Sequence, residues 1–137
     1  MQLEPYIFFD GRCEEALEFY KNAIGGSFDV NRFAGSPMES QVGADWAQKV
    51  MHATFKGDGF SFMASDSTEN GTRPEGSVAL SLAVADAAEG RGLFERLSDG
   101  GEITMPYDAT FWGGSFGMLV DRFGKKWMVS GGHGANN

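Results

Sequence analysis

Two side chains in this 137-residue sequence carry the types and setting that acid–base chemistry needs: His52, in Met51-His52-Ala53-Thr54-Phe55, and Asp66, which follows Phe60-Ser61-Phe62-Met63-Ala64-Ser65. An imidazole titrates near neutral pH, so it can take up or release a proton under working conditions. A strand histidine held by an ordinary hydrogen bond is the plain alternative. Asp66 could orient that imidazole or bind a substrate hydroxyl, and it could equally cap a turn. Cys13 is the single cysteine. At the first position of a helix it could be a nucleophile with a lowered pKa; with no histidine near it in sequence, it also fits a small buried side chain.

These side chains need strands and helices to hold them. Val50 to Phe55, the turn Lys56-Gly57-Asp58-Gly59 and Phe60 to Ser65 read as strand, turn, strand. A second such unit runs from Phe111-Trp112-Gly113-Gly114 through Met118-Leu119-Val120, a turn closing on Gly124, and Trp127-Met128-Val129. Upstream, Tyr6-Ile7-Phe8-Phe9 reads as a first strand ended by Asp10-Gly11. From Cys13 the apolar spacing becomes three and four, with Ala16, Phe19, Tyr20, Ala23 and Ile24 on one helical face until Gly25-Gly26. Ser27 to Ala34 reads as the next strand. The loop 35–48, which contains an exposed-looking Trp46, is either a lid or a surface excursion.

The segment from Asp66 to Gly76 has no apolar period and reads as a linker. Ser77 to Val84 then restarts a strand, followed by a helix using Gly90, Leu93, Phe94 and Leu97. Phe19, Tyr20 and Gly26 map onto Leu93, Phe94 and Gly100 at a constant offset of 74 residues. The order strand, helix, strand, strand, strand therefore occurs twice. The expected fold class is α+β: two tandem βαβββ modules, residues 4–66 and 77–131, forming one domain over 1–137, with their sheets curled around a shared cleft.

Strand alternation predicts what lines that cleft. Val78, Leu80, Leu82 and Val84 are expected under the helix, leaving Ser77, Ala79, Ser81 and Ala83 on the other side, where small side chains leave room for a ligand. By the same rule Phe60, Phe62 and Ala64 go under the helix while Ser61, Met63 and Ser65 face the cleft. A Gly57-Asp58 turn would pair Lys56 with Gly59 and His52 with Met63, turning the imidazole into the cleft. Phe111 and Trp112 could form an aromatic wall or pack at a module interface. Tyr107 and Asp108 are expected at the rim, and Met128 inside. Lys126 could reach an anionic group if it shares the face of Met128.

Bulk properties exclude some partners. A net charge of -8 argues against nucleic acid, whose affinity depends on Lys and Arg neutralising phosphates, and against an anionic membrane leaflet. With 42% hydrophobic residues and 12 Phe, the chain is expected to fold around a real core. A lone cysteine precludes an intramolecular disulfide, and with no signal peptide or membrane-length apolar run, a cytoplasmic location is expected. The acidic Glu14-Glu15-Glu18 run reads as a solvated helix face, and His133, in a Gly-rich tail with Asn136-Asn137, as disordered.

Phe19-Tyr20 on the first helix, Val120-Asp121-Arg122-Phe123-Gly124 at the last turn and Trp127-Met128 after it resemble the vicinal oxygen chelate superfamily, which includes glyoxalase I, extradiol dioxygenases and bleomycin-resistance proteins. Within it, Pro5-Tyr6-Ile7, Met51-His52-Ala53, Met63 to Asp66, Thr110-Phe111-Trp112-Gly113 and Asp121-Arg122-Phe123-Gly124 resemble the PhnB-like branch, often labelled demethylubiquinone-methyltransferase-like. The likeness spans nearly the whole chain and is specific for fold and branch, not for chemistry.

Metal-dependent members of that superfamily hold a divalent ion with His, Glu or Gln on the first and last strands of each module. Those places fall near Pro5, Met63, Ser77 and Met128 here, none of which is an imidazole or carboxylate donor. The resemblance therefore implies no metal at the usual site, apart from a register slip toward Glu4 or His52. Methyltransferase activity is not carried over either. A doubly wound S-adenosylmethionine site needs a Gly-rich turn between strand and helix, whereas Gly57-Asp58-Gly59 joins two strands. No cofactor is expected.

Two readings stay open. One is a metal-independent small-molecule-binding protein, such as a sequestering or resistance module, whose cleft is shaped by Ser61, Met63, Ser81, Trp112 and Met128. The other is an enzyme, either a metal-assisted lyase or isomerase using His52 with Glu4, or metal-free acid–base chemistry at His52. The resemblance also implies a homodimer.

Overall fold

The computed structural model describes residues 1–68, 71 and 76–132. His133, Asn136, Asn137 and part of the expected linker lie outside them. Among the described residues the order is β1 (Tyr6–Phe9), α1 (Cys13–Ile24), β2 (Ser27–Arg32), two short 3-10 segments (Glu39–Gln41 and Ala44–Trp46), β3 (Val50–Gly57), β4 (Phe60–Asp66), β5 (Leu80–Val84), α2 (Ala87–Ser98), β6 (Glu102–Ala109), β7 (Ser115–Val120) and β8 (Lys126–Gly131). The chain divides into two compact units, Met1–Pro74 and Glu75–Asn137. Each contains one βαβββ module, as the repeated pattern predicts, and α1 and α2 begin 74 residues apart.

In the first unit the strand order is β1-β4-β3-β2, with β1 parallel to β4 and the other pairs antiparallel. Helix α1 buries Cys13, Ala16, Leu17, Tyr20 and Ala23, the stripe that a 3.6-residue period lays against a sheet. Leu17 takes the central place the spacing gave to Phe19, which is half-buried and edge-on to Tyr20 at 5.8 Å. The stripe packs on an aromatic stack in which Phe55 lies 4.9 Å from Phe62, 6.1 Å from Phe60 and 6.3 Å from Phe28. Each fully buried Phe contributes up to about 3 kcal/mol of transfer free energy. Gly25 caps the helix at φ 82°, and at the next residue, Gly26 (φ 110°), a Cβ would sit 2.6 Å from the Lys56 carbonyl oxygen, so no side chain fits.

The β3–β4 turn is Asp58-Gly59, with Gly57 paired to Phe60 and Lys56 to Ser61. The expected Gly57-Asp58 loop is thus displaced, because Gly59 and not Gly57 takes positive φ, at 84°. The register moves by two residues, and continuing it puts His52 opposite Ser65 instead of Met63. An even slip leaves every side chain on its expected face.

The second unit repeats the plan, with order β5-β8-β7-β6 and β5 parallel to β8. Asp86 caps α2 by accepting from the Glu89 N–H at 3.1 Å, and Gly90, Leu93, Phe94 and Leu97 are buried. Strand β5 starts at Leu80, which pairs with Trp127 near the start of β8. Val78 therefore has no strand partner and is 75% exposed, against the expectation that it packs under the helix. The last turn is organised by buried Asp121. Its Oδ1 accepts from the N–H of Phe123 (2.8 Å) and Lys125 (3.0 Å), and its Oδ2 accepts from Trp127 Nε1 (2.8 Å). No helix among the described residues is long and apolar enough to cross a membrane.

Candidate functional site

Each sheet has one face under its helix and one face without. On the helix-free face of the first sheet, alternation collects Tyr6 and Phe8 of β1, Ser61, Met63 and Ser65 of β4, and His52 and Thr54 of β3. His52 pairs with Asn31 of β2, and its ring centroid lies 6.0 Å from that of Tyr6, itself 5.0 Å from Phe8. Met63 stands between Tyr6 and Thr54 in the same cross-strand row. The half-buried imidazole and the exposed phenol are thus neighbours on one surface. Such a pair can present a proton donor or acceptor beside an aromatic wall.

Asp66 is not part of this surface. It is the residue after Ser65, so the pleat turns it to the helix side, where it is buried. Its Oδ1 accepts from the Cys13 N–H and its Oδ2 from the Val50 N–H, each at 2.9 Å. Both oxygens pin backbone, one at the start of α1 and one at the start of β3, and the expected role beside His52 gives way to a structural one. A register shift between Asn31 and Arg32 brings Val50 onto that side.

Cys13 is likewise structural. It is fully buried, and burial, then the charges of Asp66 and Glu14, push its thiol pKa far above the ordinary value, so the thiolate is disfavoured. Trp46 is half-buried rather than exposed, its ring 3.5 Å from the Cβ position of Gly11. Ser61 donates its hydroxyl to a Glu4 carboxylate oxygen. Both residues border an open hollow of about 650 Å³ with Lys56, Gly57 and Phe60.

The helix-free face of the second sheet carries Ser81 and Ala83 of β5, Met128 and Ser130 of β8, Phe116 and Met118 of β7, and Met105 and Asp108 of β6. Met105, Met118 and Phe116 join this face without having been singled out from the sequence. The alternation Phe116-Gly117-Met118-Leu119 carried that signal, since Gly117 and Leu119 are buried and the residues between are not. Lys126 shares the face, but its ammonium donates to the Gly76 carbonyl.

Tyr107 is a correction. A register shift between Met105 and Asp108 spans the residue, which lies on the helix side and is 4% exposed. Its hydroxyl donates to the Ala87 carbonyl at 2.8 Å and occupies the space a side chain on Gly90 would need. Its ring packs 5.5 Å from Phe94, with the Arg91 guanidinium 5.1 Å away. Tyr107 is thus a core residue, not a rim residue. Phe111 and Trp112 cap the β6–β7 connection, 95% and 58% exposed, with rings edge-to-face at 4.7 Å. Thr110 ties that loop by donating to the Gly113 carbonyl at 2.7 Å.

Among the described residues, no three His, Cys, Asp or Glu side chains gather as a metal-ligand group. The Gly57-Asp58-Gly59 segment spans a β-hairpin between antiparallel strands, which does not provide the strand-to-helix cradle of a doubly wound methyl-donor site.

Residues 1–130 match the family described as 3-demethylubiquinone-9 3-methyltransferase. The chain belongs to this family. Protein YjdN of Escherichia coli (strain K12) is 30% identical over 139 residues, covering 95% of each chain. The solved structure of protein PA1353 from Pseudomonas aeruginosa shares 39% identity at a TM-score of 0.84, over 96% of this chain and 97% of that one. A putative 3-demethylubiquinone-9 3-methyltransferase, PhnB protein, from Bacillus cereus shares 25% at 0.80, over 96% and 99%. A glyoxalase/bleomycin resistance protein/dioxygenase family enzyme from Burkholderia phytofirmans PsJN, 11% identical at a TM-score of 0.63 over 93% and 95%, shares the fold. The PhnB-like assignment drawn from Asp121-Arg122-Phe123-Gly124 and the other motifs is therefore correct, and the fold is the one expected. In this member of the family, Asp121, Gly124 and Trp127 hold the last turn together and have no part in the helix-free faces.

Proposed function

We propose that this PhnB-like chain binds a small, largely apolar molecule against the helix-free sheet faces, without the usual divalent ion. One observation carries the reading. On the second sheet the small Ser81 and Ala83 adjoin the half-buried Met128 and Ser130, followed by Met118 and Phe116, in a chain of net charge -8. A surface that is apolar, pliant and unevenly filled within an acidic protein suits a ligand better than water. Ser61, Met63, Ser81, Asp108, Phe111, Trp112 and Met128 are the proposed contacts. A homodimer and a cytosolic location belong to the same reading, the latter in keeping with the free thiol of Cys13.

The ring contact between His52 and Tyr6 favours a second reading, in which the same fold supports lyase, isomerase or other proton-transfer chemistry at His52. Metal analysis of protein purified without chelator, combined with calorimetric titration of aromatic ligands, separates the two. Metal-free protein with saturable binding supports the first. Stoichiometric Zn²⁺, Ni²⁺ or Fe²⁺ that disappears in His52→Ala supports the second.

A further inference from the structure

Three of the chain's seven methionines fall in one cross-strand row: Met105 of β6 is the register partner of Met118 of β7, which is the register partner of Met128 of β8. Partners in adjacent strands point to the same face, with Cβ atoms about 5 Å apart. Three long, unbranched thioether side chains therefore stand side by side on the helix-free face, Met118 and Met128 half-buried and Met105 46% exposed. Unbranched chains with three rotatable bonds let the outer two lean toward the middle one.

The surroundings favour a cation. Asp108 and Glu102 lie on the same face of β6, paired with Phe116 and Val120 on either side of the methionine row. Phe116, two residues from Met118 on the same strand face, adds an aromatic side chain beside the row. Lys126 of the same surface keeps its positive charge while donating to the Gly76 carbonyl, so with the two carboxylates these three groups leave a net negative charge around the row. Imidazole and carboxylate sites suit divalent ions, whereas clustered thioethers select soft monovalent ones.

We propose that Met105, Met118 and Met128 form a binding site for a soft monovalent cation, Cu(I) or its redox-inert analogue Ag(I). The site is independent of the small-molecule reading, although both use Met128. A thioether is neutral at every pH, so binding displaces no ligand proton and depends little on pH between 5 and 8, unlike a thiolate or imidazole site.

The test is competition between the full chain and a chromophoric Cu(I) chelator without air, alongside calorimetric titration with Ag(I). The native chain is expected to withdraw one ion from the chelator. Met118→Leu/Met128→Leu, which keeps volume and apolarity, is expected to lose that capacity while retaining its melting temperature. Cys13→Ser, carrying a change at a buried thiol, should bind as the native chain does. Failure of the native chain to compete overturns the proposal, as does full competition by a Met105→Leu/Met118→Leu/Met128→Leu chain. A native chain that withdraws the ion but does not bind an apolar aromatic probe would instead count against the small-molecule reading.

Discussion

The indole N–H of Trp127 donates a 2.8 Å hydrogen bond to Oδ2 of Asp121, and both residues are buried. With Oδ1 taking two backbone N–H groups of the same turn, one carboxylate fixes the β7–β8 connection and hence the register that places Met128 opposite Met118. Asp121→Ala would remove the acceptor of three donors, two of them buried, and we expect a loss of about 2 kcal/mol of stability in urea denaturation. Asp121→Asn, retaining one acceptor oxygen, should lose less. Equal stability of Asp121→Ala and the native chain would contradict this role.

Asp66 makes the corresponding test in the first unit. Asp66→Ala leaves the buried N–H groups of Cys13 and Val50 without their acceptor and should destabilise by about 2–3 kcal/mol. His52→Ala, at a half-buried surface site, should change stability by less than about 1 kcal/mol. An Asp66→Asn chain of native stability but lost ligand binding would return Asp66 to the functional site.

The difference between Asp66 as expected and Asp66 as found shows where the sequence is mute. Helical stripes were legible because Ala16, Tyr20 and Ala23, like Gly90, Leu93, Phe94 and Leu97, repeat within one segment, and periodicity is a local signal. The faces of β4 and β5 were legible for the same reason. Asp66, by contrast, is explained by backbone 53 and 16 residues away, which no local pattern reports. The turn was misplaced because Gly57 and Gly59 are equally able to take positive φ, and only the closed ladder decides between them. Tyr107 departs from the expected rim because two interruptions of the β6 register, one before Met105 and one between Met105 and Asp108, break the period-two rule leading up to it. Val78 continued the alternation past the point where its partner strand ends.

Cys13 supplies a chemical prediction. Its buried thiol should resist iodoacetamide and aromatic disulfides in the folded chain and react rapidly after unfolding. Because the folded pKa is raised, the unfolded chain loses the thiol proton first. This contribution to stability is complete below the unfolded thiol pKa and is progressively lost as pH rises above it. Alkaline melts of Cys13→Ser should therefore fall less steeply than those of the native chain; parallel curves would contradict the burial.

Arg32 grips Glu14 with two 2.9 Å hydrogen bonds, linking β2 to α1. Hydrogen bonding to Arg32 and its charge hold the Glu14 carboxyl below its ordinary value, outweighing a small desolvation cost. The depressed carboxylate contributes stability above the unfolded pKa, and this is lost as pH falls through the folded one. Because the pair is largely solvated, Glu14→Gln should cost less than about 1 kcal/mol at neutral pH. The difference from the native chain should vanish in acid, as pH-dependent denaturation can measure.

Methyl NMR of the protein labelled at methionine tests the small-molecule reading most directly, because the seven methionine methyl groups sample both proposed faces and positions away from them. Metal-depleted protein is titrated with 8-anilinonaphthalene-1-sulfonate as the apolar aromatic probe. We predict saturable shifts of Met63, Met118 and Met128, with Met38 unmoved. Shifts confined to Met1 and Met38, or shifts at the sheet faces only after a divalent ion is restored, would contradict it.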